Sequence, residues 1–334
     1  VPNWWKIVRH PIITWDTLGL ISKDPYIFIS AYPFDRKQPF GFLYCLALSL
    51  INKRVYWLFI STWIIKERSA RWVYLHIRRF NRVFFKHKVI FLANTPQENE
   101  LLKKYGVESI FFNHNALIDE NVFFSMGLPK VYRAIYDARV LPYKRHYLAN
   151  LVEGLALIGF INETEGDPKI KDRLNNGVWL NQMESGEFQF LDSKKINYFL
   201  NQSHVGLCLS AEEGAMYASI QYLLAGLPVV TTHNHGGRDE FFESEYVEWV
   251  DDNPKAVEAG IQKLIGKSID PKEIRSKTLL KISEHRYRFI NLIQSIWDDH
   301  NLDRSFENEW GSLFFNKMQD NSLTWKKIFS RTND

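Results

Sequence analysis

Two short stretches hold residues whose types and spacing could do chemistry. The first is Ser210-Ala211-Glu212-Glu213-Gly214, an acidic turn between the apolar run Val205–Leu209 and a helix-patterned stretch from Ala215. A strand that passes through such a turn into a helix leaves free amides, and any acid beside them, where open parallel sheets take their ligands. The second is Arg139-Val140-Leu141-Pro142-Tyr143-Lys144, two cations on the loop after the apolar stretch Tyr132–Asp137. Fixed cations at a strand end suit a phosphate-bearing ligand, because a departing phosphate builds negative charge that charge-assisted hydrogen bonds stabilise. Plain alternatives stand beside both. Arg139 and Lys144 could be solvated surface charges, and Glu213 a helix N-terminal charge worth about 1 kcal/mol at most. Glu212 reads as solvent-facing.

These residues need elements to position them. In the C-terminal half the pattern predicts strands at Tyr132–Asp137, Leu155–Ile161, Phe188–Leu191 and Val205–Leu209. Helices are expected at Lys144–Glu153 and at Ser193–Gln202, the second capped by Asp192. The helix from Ala215 ends at Gly226, placed as a left-handed cap with Pro228 beyond it, and a strand follows at Leu227–Val230. Gly236-Gly237 makes a tight turn before a helix at Arg238–Glu243, with His235 either facing the ligand or simply in the loop. In the N-terminal half, strands are expected at Tyr26–Ala31, Val55–Ser61, Lys88–Leu92 and Ser109–Asn113. A turn-rich loop covers Tyr32–Pro39, and helices cover Gly41–Ile51, Arg68–Phe85 and Gln97–Tyr105, the last started by Asn94-Thr95-Pro96 and stopped at Gly106. Strands alternating with helices imply a parallel, Rossmann-type sheet in each half.

A chain of 334 residues is long enough for two cores, since single domains most often hold about 100–150 residues. With 46% hydrophobic and 24% charged residues, disorder is excluded. A formal net charge of +4 is too mild to imply nucleic acid and suits an anionic membrane surface or a phosphate-bearing substrate. Cys45 and Cys208 lie in apolar runs and read as a buried, reduced pair in a cytoplasmic protein. Neither they nor Asp251-Asp252 nor the histidines show metal-ligand spacing, so no metal or other cofactor is expected. The apolar runs Phe40–Ile51 and Val55–Ile65 are each shorter than the roughly 20 residues that span a bilayer. A buried helix followed by a buried strand is expected there, with a shallow re-entrant hairpin as the alternative. No signal peptide opens the chain, and Val1 in place of Met points to a trimmed sequence.

Between Arg68 and Lys88, Arg68, Arg71, His76, Arg78, Arg79, Arg82, Lys86 and Lys88 alternate with Trp72, Tyr74, Phe80, Phe84 and Phe85. Two readings have equal weight: an amphipathic helix with its apolar side on the sheet, or a surface that docks on an anionic leaflet.

The run Glu-Glu-Gly-Ala-Met-Tyr-Ala-Ser-Ile-Gln-Tyr-Leu-Leu-Ala-Gly-Leu-Pro-Val-Val, from Glu212 to Val230, resembles the signature of the "glycosyl transferases group 1" set, family four of the GT-B enzymes. Glu213 matches the first carboxylate of that signature, and Gln221 stands where its second Glu belongs. The segment Ala138–Lys144 is similar to the one in which an Arg and a Lys grip the donor diphosphate. Thr95–Val107 with Asn113–Asn115, Asp119 and Phe123 resembles the end of the N-terminal domain and its linker, and His233–Gly237 resembles the Gly-Gly turn after the signature. The resemblance covers about Arg71 to Lys263. It implies that Arg139 and Lys144 hold the diphosphate and that Glu213 touches donor-sugar hydroxyls, the three forming the catalytic set. Gly214, Ala215, Gln221 and Leu191 complete the donor-binding set. An amide at Gln221 both donates and accepts where a carboxylate would accept from two ribose hydroxyls; the alternative is a helix-surface residue. No His near Phe59–Trp63 matches the one that such enzymes often place by the acceptor, and Gly41 fits either a glycine loop or a helix start.

The expected fold is α/β of the GT-B kind, two Rossmann-like domains facing a cleft, with a short N-terminal domain. The expected divisions are 1–115, 116–300 and a helical tail over 301–334 that could cross back to the N-terminal domain. The resemblance implies a retaining, metal-independent transferase moving sugar from a nucleotide-diphosphate donor to a glycan or lipid-linked acceptor in bacterial-type surface polysaccharide synthesis. Such a protein would be cytoplasmic, with peripheral docking through Arg68–Lys88 and no nucleic-acid partner. A non-catalytic nucleotide-sugar-binding subunit and a membrane-surface scaffold are the alternatives.

Overall fold

The computed structural model describes residues 18–32, 43–160, 177–183 and 185–313. They form two compact units: one takes the residues up to Ile118 and those from His285 onward, the other Asp119–Glu284. Residues 285–300, grouped with the C-terminal domain by the sequence, thus fall in the first unit. The expectations for the loop after Tyr32, for Gly41 and for the tail beyond Leu313 lie outside the described residues, as does the side chain of Cys45.

The first unit is a five-stranded sheet in the order β1 (Gly19–Lys23), β2 (Tyr26–Tyr32), β3 (Val55–Ser61), β4 (His87–Ala93) and β5 (Ser109–Phe111). Strands β2 to β5 run parallel, and β1 pairs antiparallel with β2. The central strand β3 reads Val-Tyr-Trp-Leu-Phe-Ile-Ser and is buried along its whole length, as a strand covered on both faces must be. The preceding apolar run becomes the short helix α1 (Tyr44–Ser49), so the helix-then-strand expectation holds. Among the described residues no helix is long and apolar enough to cross a membrane. Helix α2 (Glu67–Val83) turns Ala70, Val73 and Phe80 onto the core, where Phe80 joins Phe28, Trp57, Phe84 and Phe91. Helix α3 (Pro96–Lys104) starts where the sequence puts it, with the Thr95 hydroxyl accepting from the Glu98 amide at 3.1 Å.

The second unit has six parallel strands, β6 (Tyr132–Asp137), β7 (Leu155–Ile158), β8 (Gly177–Trp179), β9 (Ser203–Cys208), β10 (Val229–Thr232) and β11 (Val247–Val250). Their spatial order is β11-β10-β9-β6-β7-β8. The chain therefore winds outward from β6, returns to the other side of β6 at β9, and winds outward again. This is the doubly wound Rossmann order, and its switch point lies between β6 and β9. Around it lie α4 (Ser193–Asn201), capped by Asp192, α5 (Tyr217–Leu224) and α6 (Pro254–Ile265). Gly226 closes α5 with φ +78°, the left-handed value a glycine takes without strain. The long helix α7 (Pro271–Asp298) begins in this unit and ends in the first, and α8 (Phe306–Leu313) follows it.

Three sequence expectations fail here. Lys144–Glu153 is not an α-helix but two 3-10 turns, Pro142–Lys144 and His146–Ala149, because Arg145 between them takes a left-handed backbone (φ 52°) that a right-handed helix cannot continue. Phe188–Leu191 is not a strand. There the Asn181 amide bonds the Gly159 and Gln189 carbonyls, leaving an isolated bridge at Phe188, and the sheet edge is β8 instead. Arg238–Glu243 shrinks to a 3-10 turn over Gly237–Asp239, since the Arg238 side chain turns fully inward.

Candidate functional site

Strands β6 and β9 are neighbours and parallel, so the loops that leave their carboxyl ends leave on the same edge of the sheet. The loop after β6 carries Ala138–Arg145, and the loop after β9 carries Leu209–Met216. They are joined directly: the Ala211 amide donates to the Tyr143 carbonyl at 3.0 Å. Next to that bond the Lys144 ammonium and the Glu213 carboxylate form an ion pair, their side chains only 10% and 7% exposed. At that depth each charge needs the other, because an unpaired buried ion loses its hydration without compensation. The Lys144 carbonyl accepts from the buried Tyr136 hydroxyl at 2.5 Å, which fixes the lysine from below.

The Glu213 turn is backed by a third loop. The Glu213 amide donates to the His235 carbonyl at 3.1 Å, His235 returns a bond to the Ala211 carbonyl at 3.1 Å, and Gly237 donates to the Gly214 carbonyl at 2.7 Å. His235 is thus held in the loop through its backbone. Gly214 and Ala215 lead into α5, in whose second turn Gln221 is half-buried. The Gln221 amide has no hydrogen-bond partner among the described residues. Arg139 lies exposed on the β6 loop and makes no side-chain bond among the described residues, while Leu191 is buried just before the Asp192 cap. Of the predicted residues, then, the structure brings Lys144 and Glu213 into contact and places Arg139 on the lysine's own loop.

Three residues at this edge were not singled out by the sequence. Asp137 ends β6, and burial pushes its carboxyl up to about 7 while the nearby Lys144 ammonium pulls the other way. Its amide donates to the buried Tyr222 hydroxyl at 2.7 Å. Arg145 and Arg238 bond the ends of β9 and β10. The signals for all three were positional: Asp137 is the last residue of a predicted strand, Arg145 follows Lys144, and Arg238 follows the glycine pair. His146, beside Arg145, is buried and packs on Tyr136 with ring centroids 4.7 Å apart; burial drives its imidazole down to about 4, so it is neutral. Cys208 is buried, and burial pushes its thiol up to about 12. Among the described residues no group of three or more His, Cys, Asp or Glu side chains is placed to hold a metal ion.

Sucrose-phosphate synthase from Thermosynechococcus elongatus superposes with a TM-score of 0.54 at 13% identity, over 82% of this chain and 74% of that one. A glycosyltransferase from Rickettsia africae gives 0.54 at 14% identity, over 79% and 76%. The Anabaena protein HepE in complex with UDP and glucose gives 0.51 at 14% identity, over 76% and 75%. The fold is GT-B. No family model and no curated protein sequence matches the chain. In this GT-B chain the second unit supplies the switch-point edge, and the Lys144–Glu213 pair sits on it.

Proposed function

We propose that this chain transfers a sugar from a nucleotide-diphosphate donor to a glycan or lipid-linked acceptor. The observation that carries the proposal is the buried Lys144–Glu213 pair at the β6–β9 switch point, one cation and one carboxylate where doubly wound sheets receive ligands. Lys144 and the exposed Arg139 take the two phosphates and offset the charge that grows as the nucleoside diphosphate leaves, which is why no metal is called on. Glu213 orients the donor sugar through its hydroxyls, Gly214 and Ala215 let it approach the backbone ahead of α5, and Leu191 walls the nucleoside. Gln221 bonds the ribose. Retention of anomeric configuration and a place in surface polysaccharide synthesis are part of the proposal, and they rest on the sequence resemblance. So does action at the cytoplasmic face of a membrane, to which the basic outer side of α2 is suited.

HepE's complexes with UDP make UDP the first ligand to try. A thermal-shift screen with UDP, GDP, ADP, TDP and CMP tests the reading, since a ligand at about 100 times its dissociation constant stabilises by about 2.7 kcal/mol. A clear upward shift with one of the diphosphates is expected, and no shift with any of them would sink the proposal. Gln221, an amide where the family signature has an acid, favours a second reading, a nucleotide-sugar-binding subunit without turnover. Slow hydrolysis of the bound donor marks the enzyme, and binding with no hydrolysis marks the subunit.

A further inference from the structure

Where β9 runs out of its ladder, three consecutive carbonyls need partners, because buried backbone acceptors left unpaired are costly. Each is met by a side chain. The Thr231 hydroxyl donates to the Cys208 carbonyl at 3.1 Å, Arg145 Nε donates to that of Leu209 at 2.6 Å, and Arg238 Nη1 donates to that of Ser210 at 2.8 Å. The same two guanidinium groups also hold the end of β10. Arg145 Nη2 donates to Thr232 Oγ1 at 2.6 Å, and Arg238 Nη2 donates to Thr231 Oγ1 at 2.8 Å and to the Thr232 carbonyl at 2.6 Å. Arg238 is fully buried and paired with Asp239, and Arg145, only 12% exposed, is paired with Asp252. Their donors are thus directed at the protein's own strand ends.

Arg145 keeps a left-handed backbone, which is unfavourable for a residue with a Cβ. Its guanidinium bonds offset that cost. A lysine would carry the charge but not the planar fork that reaches a carbonyl and a hydroxyl together.

We propose that Arg145 and Arg238 are positioning residues: they clamp the β9 end against the β10 end and thereby set Glu213 against Lys144, in the geometry that receives the donor diphosphate. The last part rests on the donor-binding reading above; the clamp itself does not. Arg145→Gly is the informative variant, because glycine accepts the left-handed turn, so the fold is kept while the guanidinium is removed. The state of Lys144 can be read without any ligand, by competitive acetylation with acetic anhydride and mass spectrometry, with the exposed Lys263 as internal reference.

In the wild type Lys144 should acetylate far more slowly than Lys263, given side-chain exposures of 10% and 57%. In Arg145→Gly its rate rises about tenfold, the scale of one lost charge-assisted bond, while Lys263 is unchanged; Arg145→Lys falls between. Arg238→Lys should expose Lys144 in the same way. Affinity for UDP, and for inorganic pyrophosphate as a base-free probe, falls in parallel. Lys144 as protected in Arg145→Gly as in the wild type would overturn the clamp. Wild-type protein that binds neither probe, while its lysine still responds to Arg145→Gly, would leave the clamp standing and remove the donor-binding reading.

Discussion

Lys144 and Arg139 share one loop and one proposed ligand, yet their surroundings make them different experimental handles. Lys144 and Glu213 are both nearly excluded from water, so Lys144→Ala leaves a buried carboxylate without its counter-ion. Removing one partner of such a pair costs about 3–5 kcal/mol, whereas replacing both with apolar residues of similar volume is often close to neutral. Urea unfolding should therefore show a large loss for Lys144→Ala and a much smaller one for the Lys144→Met, Glu213→Leu double variant. A single variant as stable as the wild type would mean that the pair is solvated. Arg139 is exposed and makes no side-chain bond among the described residues, so Arg139→Ala should leave stability within about 0.5 kcal/mol. Its effect should appear in titration with UDP, as an affinity loss on the order of tenfold for one charge-assisted bond. Unchanged affinity there would take Arg139 off the diphosphate.

Elements whose cause is local were legible in the sequence. Strand β6 was bounded correctly by its apolar run, α3 and α4 by their Thr95 and Asp192 caps, and the end of α5 by Gly226. What escaped was set by contacts distant in sequence. The stretch Lys144–Glu153 looks helical because Lys144, Arg145, Leu148, Ala149, Leu151 and Glu153 are good helix formers, but Arg145 is pulled out of the helical region by partners at Leu209 just past β9, on β10 and in the loop at Asp252. Arg238 stays in a helical turn, but its side chain too is held by contacts outside that turn, at Ser210 and the end of β10. The stretch Lys144–Glu153 also carries a titration that can be measured. The His146 imidazole is held near 4 by burial against a free value of about 6.5. Between those values the unfolded chain binds more protons than the folded one, so this contribution is full above about 6.5 and is lost as pH falls toward 4. Asp137 has the opposite sign: its folded value of about 7 lies above the unfolded one, so its contribution is full below about 4 and is lost as pH rises through 7. His146→Phe keeps the packing on Tyr136 and removes the titration, so its urea midpoint should decline less than that of the wild type from pH 6.5 to pH 4. Asp137→Asn should remove the loss that accrues as pH rises from about 4 to about 7, so its urea midpoint should fall less than that of the wild type over that interval. Parallel profiles for His146→Phe and the wild type would show that the imidazole does not carry the acid-side loss.

At the scale of the whole molecule, the charge that the formal +4 understates is concentrated on one helix of the first unit, while the proposed donor chemistry belongs to the second. Helix α2 is amphipathic, as the first reading of its sequence has it: Ala70, Val73 and Phe80 pack on the core, and Arg68, Arg71, Arg78, Arg79 and Arg82 face outward. The outward side is not purely polar, since Trp72, Leu75 and Val83 are 46%, 38% and 47% exposed and Phe85, just past the helix, is 75% exposed. The single acid on the helix, Glu67, accepts from the Tyr105 hydroxyl at 2.8 Å and lies 3.7 Å from Lys104, so little negative charge opposes the arginines. Cations among exposed aromatic and aliphatic side chains suit an anionic lipid surface, where each basic residue contributes about 1 kcal/mol within a Debye length of about 8 Å at physiological salt. Co-sedimentation with phosphatidylserine-containing vesicles should thus be strong at low salt and fall steeply as salt is raised. Reversing two charges in the Arg78→Glu, Arg79→Glu variant should weaken it by more than about tenfold, because two attractions become two repulsions. Trp72→Ala should weaken binding while leaving the salt dependence as it was, since it removes apolar insertion but no charge. Equal binding to neutral and anionic vesicles, or a charge-reversed protein that binds like the wild type, would return the outer side of α2 to the role of a solvated helix face.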